Sequence, residues 1–117
     1  MPKVTISGKG MVQSAGKGLV VETGVAFSSS TTVSATTSLD STTFLTTVAA
    51  AFTAGNELTL PSSAQRGALK LIISDSENNA VVKGTNATTS DVTLTNIGDM
   101  AWCVFDGTEW VIGRSLN

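Results

Sequence analysis

From residue 57 onward, apolar and polar positions alternate in short runs separated by turn residues. Glu57-Leu58-Thr59-Leu60 alternates and stops at Pro61. Residues 67–74, G-A-L-K-L-I-I-S, put Leu69, Leu71 and Ile73 on one face of a strand. Ala80-Val81-Val82-Lys83 is a short run ended by Gly84, and residues 91–97, D-V-T-L-T-N-I, alternate again. Alternation of period two over four to eight residues predicts strands, and the polar clusters at 75–79 and Gly98-Asp99 predict turns. The strongest local signal lies in Met100 to Gly113, M-A-W-C-V-F-D-G-T-E-W-V-I-G. Asp-Gly flanked by β-branched and aromatic residues predicts a hairpin, with arms over 100–105 and 108–113. A three-residue loop puts Trp102, Val104, Trp110 and Ile112 on one face. A two-residue loop makes Trp110 and Ile112 join Cys103 and Phe105 instead. In either register both faces of the first arm are apolar. Such a strand needs a second layer, from the same chain or from a neighbour.

The N-terminal half is less sharply patterned. Residues 28–47 are rich in Ser and Thr, yet Val33, Ala35 and Thr37 alternate with polar residues, and Leu39, Phe44 and Leu45 are apolar anchors. Strands are predicted at about 31–39 and 42–48, with a turn near Asp40-Ser41. The alanine-rich segment 48–55 is too short for propensity to make a helix and reads as a strand or a single turn. Gly55-Asn56 reads as a turn. Residues 1–27 carry Gly8, Gly10, Gly16, Gly18 and Gly24 among short apolar patches, which disfavours a helix. They read as an extended arm lying against the body or another subunit. The expected fold is all-β: a small antiparallel β-sandwich or barrel over 28–117, with an extended Gly-rich N-terminal arm over 1–27.

Length and charge narrow the function. A chain of 117 residues bounds one domain. Charged residues make up only 14% of it, and the net charge is −2, which is not a nucleic-acid-binding balance. No apolar run approaches the length of a membrane span. The start, M-P-K-V-T-I-S, has no signal-peptide hydrophobic region, so synthesis in a cytoplasm is expected. Lys3, Lys9 and Lys17 precede the first acid, Glu22, so a weakly basic arm leads an acidic body. Such an arm suits an acidic surface. Cys103 is the only cysteine and reads as a small buried hydrophobe.

The catalytic repertoire is thin. There is no histidine, which removes Ser-His-Asp and Cys-His catalysis and the commonest transition-metal ligand. Gly-Lys-Gly at 8–10 and 16–18 does not make a phosphate loop: Met11 stands where a leading Gly is required, and Gly18 where Ser or Thr must hold the metal. Asp75 and Glu77 fall in one predicted turn, and Asp99, Asp106 and Glu109 sit around the final hairpin; Asp in turns stabilises Asx geometry. Asp75-x-Glu77-Asn78 lacks the EF-hand pattern of a calcium site. Asn86-Ala87-Thr88 matches a glycosylation sequon and, without a secretory signal, reads as chance. No enzyme activity, cofactor or metal is therefore expected. Trp102 and Trp110 are either core residues or a sugar-stacking platform.

The run from Leu58 to Gly113 resembles the β-rich modules of tailed-phage virion proteins, both tail-fibre segments and capsid decoration (cement) proteins. The resemblance rests on Leu60-Pro61, on Gly67 to Ile73, and on the terminal Asp106-Gly107-x-x-Trp110 hairpin. It implies a structural role, commonly as a homotrimer. The expectation is a bacteriophage capsid decoration protein, made in the host cytoplasm, bound to the major capsid protein on the outer surface of the virion. Lys3, Val4, Ile6, Lys9, Met11, Val12, Lys17, Leu19 and Val21 of the arm are the expected capsid or subunit contacts. Trp102, Val104, Phe105, Trp110 and Ile112 are the expected core or trimer contacts. The alternative is a tail-fibre or receptor-binding module recognising carbohydrate through an exposed Trp102 or Trp110 beside Asp99 or Glu109.

Overall fold

The protein is seen in a computed structural model that describes residues 29–84 and 91–116. The arm residues named above, from Lys3 to Val21, and the sequon at Asn86 lie outside the described residues. Nine strands follow one another: β1 (Ser30–Val33), β2 (Thr37–Ser38), β3 (Leu45–Val48), β4 (Asn56–Thr59), β5 (Leu69–Ser74), β6 (Ala80–Lys83), β7 (Val92–Leu94), β8 (Met100–Phe105) and β9 (Trp110–Ser115). No helix occurs among the described residues. The strands form a five-stranded sheet, β1-β3-β5-β8-β9, and a four-stranded sheet, β2-β4-β6-β7.

All-β character and the segments from residue 56 onward match the expectation. The pairing does not. The first six strands alternate between the sheets, and each pairs in parallel with the strand two before or after it: β1 with β3, β3 with β5, β2 with β4, and β4 with β6. Parallel neighbours need a crossover, and here the crossover of each sheet runs through a strand of the other. The predicted strand at 31–39 is accordingly split. The chain bends at 34–36 and carries Thr37 and Ser38 into the second sheet. Turn residues mark where a chain bends, but not whether the next strand returns beside the last or crosses to another layer. The antiparallel sandwich is thus corrected to two mixed sheets, and the barrel to an open pair. β7, β8 and β9 alone run antiparallel to their neighbours and end the winding.

One core lies between the sheets. The five-stranded sheet contributes Val33, Val48, Ile72, Ala101, Cys103, Phe105 and Trp110, and the four-stranded sheet Leu58, Ala80, Val82, Val92 and Leu94. Leu39, Phe52 and Leu60 plug the connections. Each large apolar side chain buried this way contributes about 1.5–3 kcal/mol against exposure. Cys103 is the buried hydrophobe its neighbours predicted, and burial pushes its thiol up to about 12.

The turns follow local chemistry. Gly55, Gly67, Gly98 and Gly107 have positive φ, and Gly98 and Gly107 sit in the turns predicted for them. Asp40 makes the turn between β2 and β3. Its Oδ1 accepts from the backbone N–H groups of Thr43 (2.7 Å) and Thr42 (3.0 Å), and its Oδ2 accepts from the Thr43 hydroxyl (3.1 Å). The backbone N–H of Thr43, then that of Thr42, holds the Asp40 carboxyl down at about 2. Because the folded value lies below the ordinary 3.8, the stabilisation is complete above pH 4 and is lost as pH falls through about 2. Asp106 is shifted in the same direction, by the backbone N–H groups of Glu109 and Thr108. Stability measured by urea unfolding is therefore expected to fall between pH 4 and pH 2. Asp40→Asn flattens part of that fall. An identical acid limb in the variant contradicts the assignment.

Candidate interaction face

The closing hairpin settles which tryptophan faces which way. Phe105 pairs with Trp110, and Cys103 with Ile112, across a loop of four residues, 106–109. An even loop gives the parity of the two-residue case, so Trp110 and Ile112 share the inward face with Cys103 and Phe105. Asp106 closes the loop: its Oδ1 accepts from the N–H groups of Thr108 and Glu109, each at 2.8 Å, and its own N–H donates to the Glu109 carbonyl at 3.0 Å. Trp110 is buried, meets Phe105 edge to face at 5.4 Å, and donates its indole N–H to the Pro61 carbonyl at 2.9 Å. Ile112 packs at the core margin. Phe105, Trp110 and Ile112 are thus core residues of this chain. Trp102 and Val104 point the other way and are exposed, at 49% and 39%.

These two belong to a larger surface. Registers across the five-stranded sheet define three outward rows. The first is Ser30, Leu45, Leu71, Trp102 and Gly113. The second is Thr32, Thr47, Ile73, Met100 and Ser115. The third is Leu69, Val104 and Val111. No residue in any row is charged. Leu69 and Val111 are exposed at 47% and 54%, beside Trp102 and Val104. The opposite surface of the molecule is built differently. The outward positions of the four-stranded sheet include Glu57, Thr59, Lys83 and Thr93, with an ion pair between Lys83 and Glu57 at 3.2 Å. One outer face carries an ion pair, and the other, along these rows, carries no charge. A contiguous apolar patch on one face marks an interaction surface more often than a solvated one.

Sequence reasoning found Trp102 and Val104 but not Leu45, Leu71, Ile73, Met100 or Val111. The available signal was the double-sided apolar character of residues 69–73 and 100–105. Its partner layer on the inner side is the four-stranded sheet. On the outer side the described residues supply none.

The carboxylates do not converge. Among the described residues no three acidic or thiol groups are placed to hold a metal ion. Asp99 is fully buried, and its Oδ2 accepts from the N–H groups of Thr95 (2.8 Å) and Asn96 (3.0 Å). It holds the loop between β7 and β8 and does not accompany Trp102 on the exposed face, so the signature of the carbohydrate-binding alternative, an exposed tryptophan beside Asp99 or Glu109, is not met at Asp99. No helix among the described residues is long and apolar enough to cross a membrane. No family model matches the chain, and no curated protein matches it.

Proposed function

We propose that this chain is a structural virion protein: a capsid decoration protein that assembles as a homotrimer and binds the major capsid protein at the outer capsid surface. The observation that carries the reading is the uncharged outer face of the five-stranded sheet, with Trp102 at its centre. A surface of this kind is costly to leave in water and becomes stable when another subunit covers it. The resemblance of residues 58–113 to phage virion modules points to the assembly in which it is covered. In this reading the face serves the trimer and the arm, residues 1–27, serves the capsid. The role is structural, without catalysis or cofactor.

Trp102→Glu places an unpaired charge on the covered face, which costs several kcal/mol once desolvated. Light scattering at micromolar concentration is expected to show trimer for the parent and monomer for the variant, with unchanged circular dichroism. A variant that remains trimeric removes this face from the trimer contact. The capsid role is tested on purified particles. The protein is expected at fixed stoichiometry, and particles lacking it are expected to open at lower temperature or chaotrope concentration. Unchanged particle stability sinks the decoration role.

The carbohydrate-binding reading draws on the same exposed Trp102. A sugar stacked on the ring also needs polar groups at its rim. The register neighbours of Trp102 are Leu71 and Gly113, and its strand neighbours on that face are Met100 and Val104. That surrounding favours a protein partner. Glycan-array binding lost in Trp102→Ala, with the fold intact, restores the carbohydrate reading.

A further inference from the structure

We propose that the cavity between β1, the β2–β3 turn and β5 is a binding site for one small monovalent carboxylate, held by the Lys70 ammonium and the Thr46 hydroxyl. Lys70 projects from β5 into the interior, and only 1% of its surface is exposed. Its Nζ donates to the carbonyl oxygens of Asp40 (2.6 Å) and Thr43. An ammonium has three N–H donors, so one remains. Both protein acceptors are neutral carbonyls. Thr46 is fully buried, and its hydroxyl has no hydrogen-bond partner among the described residues. Both side chains line one cavity of about 140 Å³. Buried polar groups in folded proteins are ordinarily satisfied, so the unbonded Thr46 hydroxyl, on the same cavity as an ammonium with one donor to spare, points to a missing partner.

The chemistry of that partner follows from the lining. Two donors, one of them cationic, call for an anion with two acceptor oxygens. A water molecule needs only about 10–15 Å³ of such space, so a molecule of several heavy atoms fits. Among the described residues Asp40 is the only carboxylate on the cavity wall, and its oxygens are engaged by Thr42 and Thr43. Its charge offsets part of that of Lys70, which favours an anion of single charge over a divalent one. Burial lowers the Lys70 pKa and the Asp40 carboxylate opposes that shift, so a second anion beside the ammonium also strengthens its charged form.

The site is independent of the assembly role and is tested on the full chain by amide chemical shifts. Sodium acetate is titrated against sodium chloride and sodium sulfate at constant ionic strength. Acetate is expected to give saturable shifts confined to residues 31–33, 37–46 and 70, and sulfate is expected to bind more weakly. Lys70→Met is expected to abolish the saturable response. Thr46→Val, which keeps the side-chain shape, is expected to weaken acetate binding about three- to tenfold, the worth of one hydrogen bond. It serves as the deciding variant should Lys70→Met not fold. Identical linear responses to acetate and chloride show a water-filled cavity and overturn the proposal. Undiminished acetate binding in Thr46→Val overturns it as well, and sulfate binding as tight as acetate overturns the choice of a monovalent ligand.

Discussion

Trp110→Ala is expected to cost about 3–5 kcal/mol in urea unfolding, the range for removing a large aromatic from a packed core. For a domain whose whole stability is about 5–15 kcal/mol, that is enough to leave the variant partly unfolded at ambient temperature. Three contributions combine. The indole is one of the largest fully buried side chains. It packs edge to face on Phe105, a geometry worth about 0.5–1.5 kcal/mol beyond burial. Its N–H satisfies the Pro61 carbonyl, which ties the hairpin to the segment after β4. Trp110→Phe keeps most of the ring and loses that hydrogen bond, so a smaller loss is expected. Trp102→Ala is the control. Its side chain is half exposed on the outer face, and its loss is expected to change monomer stability by less than about 1 kcal/mol. Equal effects at the two tryptophans contradict the hairpin register.

That contrast also measures how far the sequence could be read. Asp106-Gly107 located the hairpin, and the structure places its strands at 100–105 and 110–115. The loop length was not legible. Asp106 bonds to the N–H groups of both Thr108 and Glu109 and so holds a four-residue loop, with the same parity as a tight two-residue turn. Residues 69–74 show a second limit. The alternation gives the strand but not the face that lies inward. Leu69, Leu71 and Ile73 look outward, while Lys70, Ile72 and Ser74 look inward. An inward lysine contradicts the usual rule for charged residues. It is tolerated here because the β2–β3 turn, some thirty residues away in sequence, brings two carbonyls to its ammonium. No local pattern carries that information.

The parallel winding was hidden for a related reason. A strand of four residues carries alternation and little else. The pairing of β1 with β3 and of β3 with β5 depends on where the intervening chain is buried. Leu39, Phe52 and Leu60 lie between strands and are nonetheless core residues, so the connections are anchored across the two layers. In the sequence these residues look like strand ends or turn flanks. The same limit applies to the interaction face. Period-two alternation expects one apolar side per strand, and β8 has two: Ala101, Cys103 and Phe105 inward, Met100, Trp102 and Val104 outward. The excess was visible at once as a need for a second layer. Only the registers of β3, β5 and β9 show that the outward residues join into one surface.

Asp99→Ala is expected to destabilise the fold by about 2–4 kcal/mol, read by urea or thermal unfolding, although the residue lies in a loop. Loop acids ordinarily face water, but this one is completely buried where the chain crosses from the four-stranded sheet to the five-stranded one. Its Oδ2 accepts from the Thr95 and Asn96 N–H groups and, at 3.3 Å, from the Thr95 hydroxyl. Its carbonyl accepts from Ser74 N–H, and Gly98 N–H returns the bond to the Ser74 carbonyl, both at 2.8 Å. The loop is thereby pinned to the end of β5, the central strand of the first sheet. Alanine removes the carboxylate and leaves the three donors it served in a part-buried loop without their acceptor, a loss larger than that of one ordinary hydrogen bond. Asp99→Asn keeps one oxygen in place and is expected to lose about half as much. A surface acid supplies the comparison: Glu77→Ala, exposed in the turn between β5 and β6, is expected to stay within about 0.5 kcal/mol of the parent. Should Asp99→Ala behave like Glu77→Ala, the β7–β8 loop does not depend on its carboxylate.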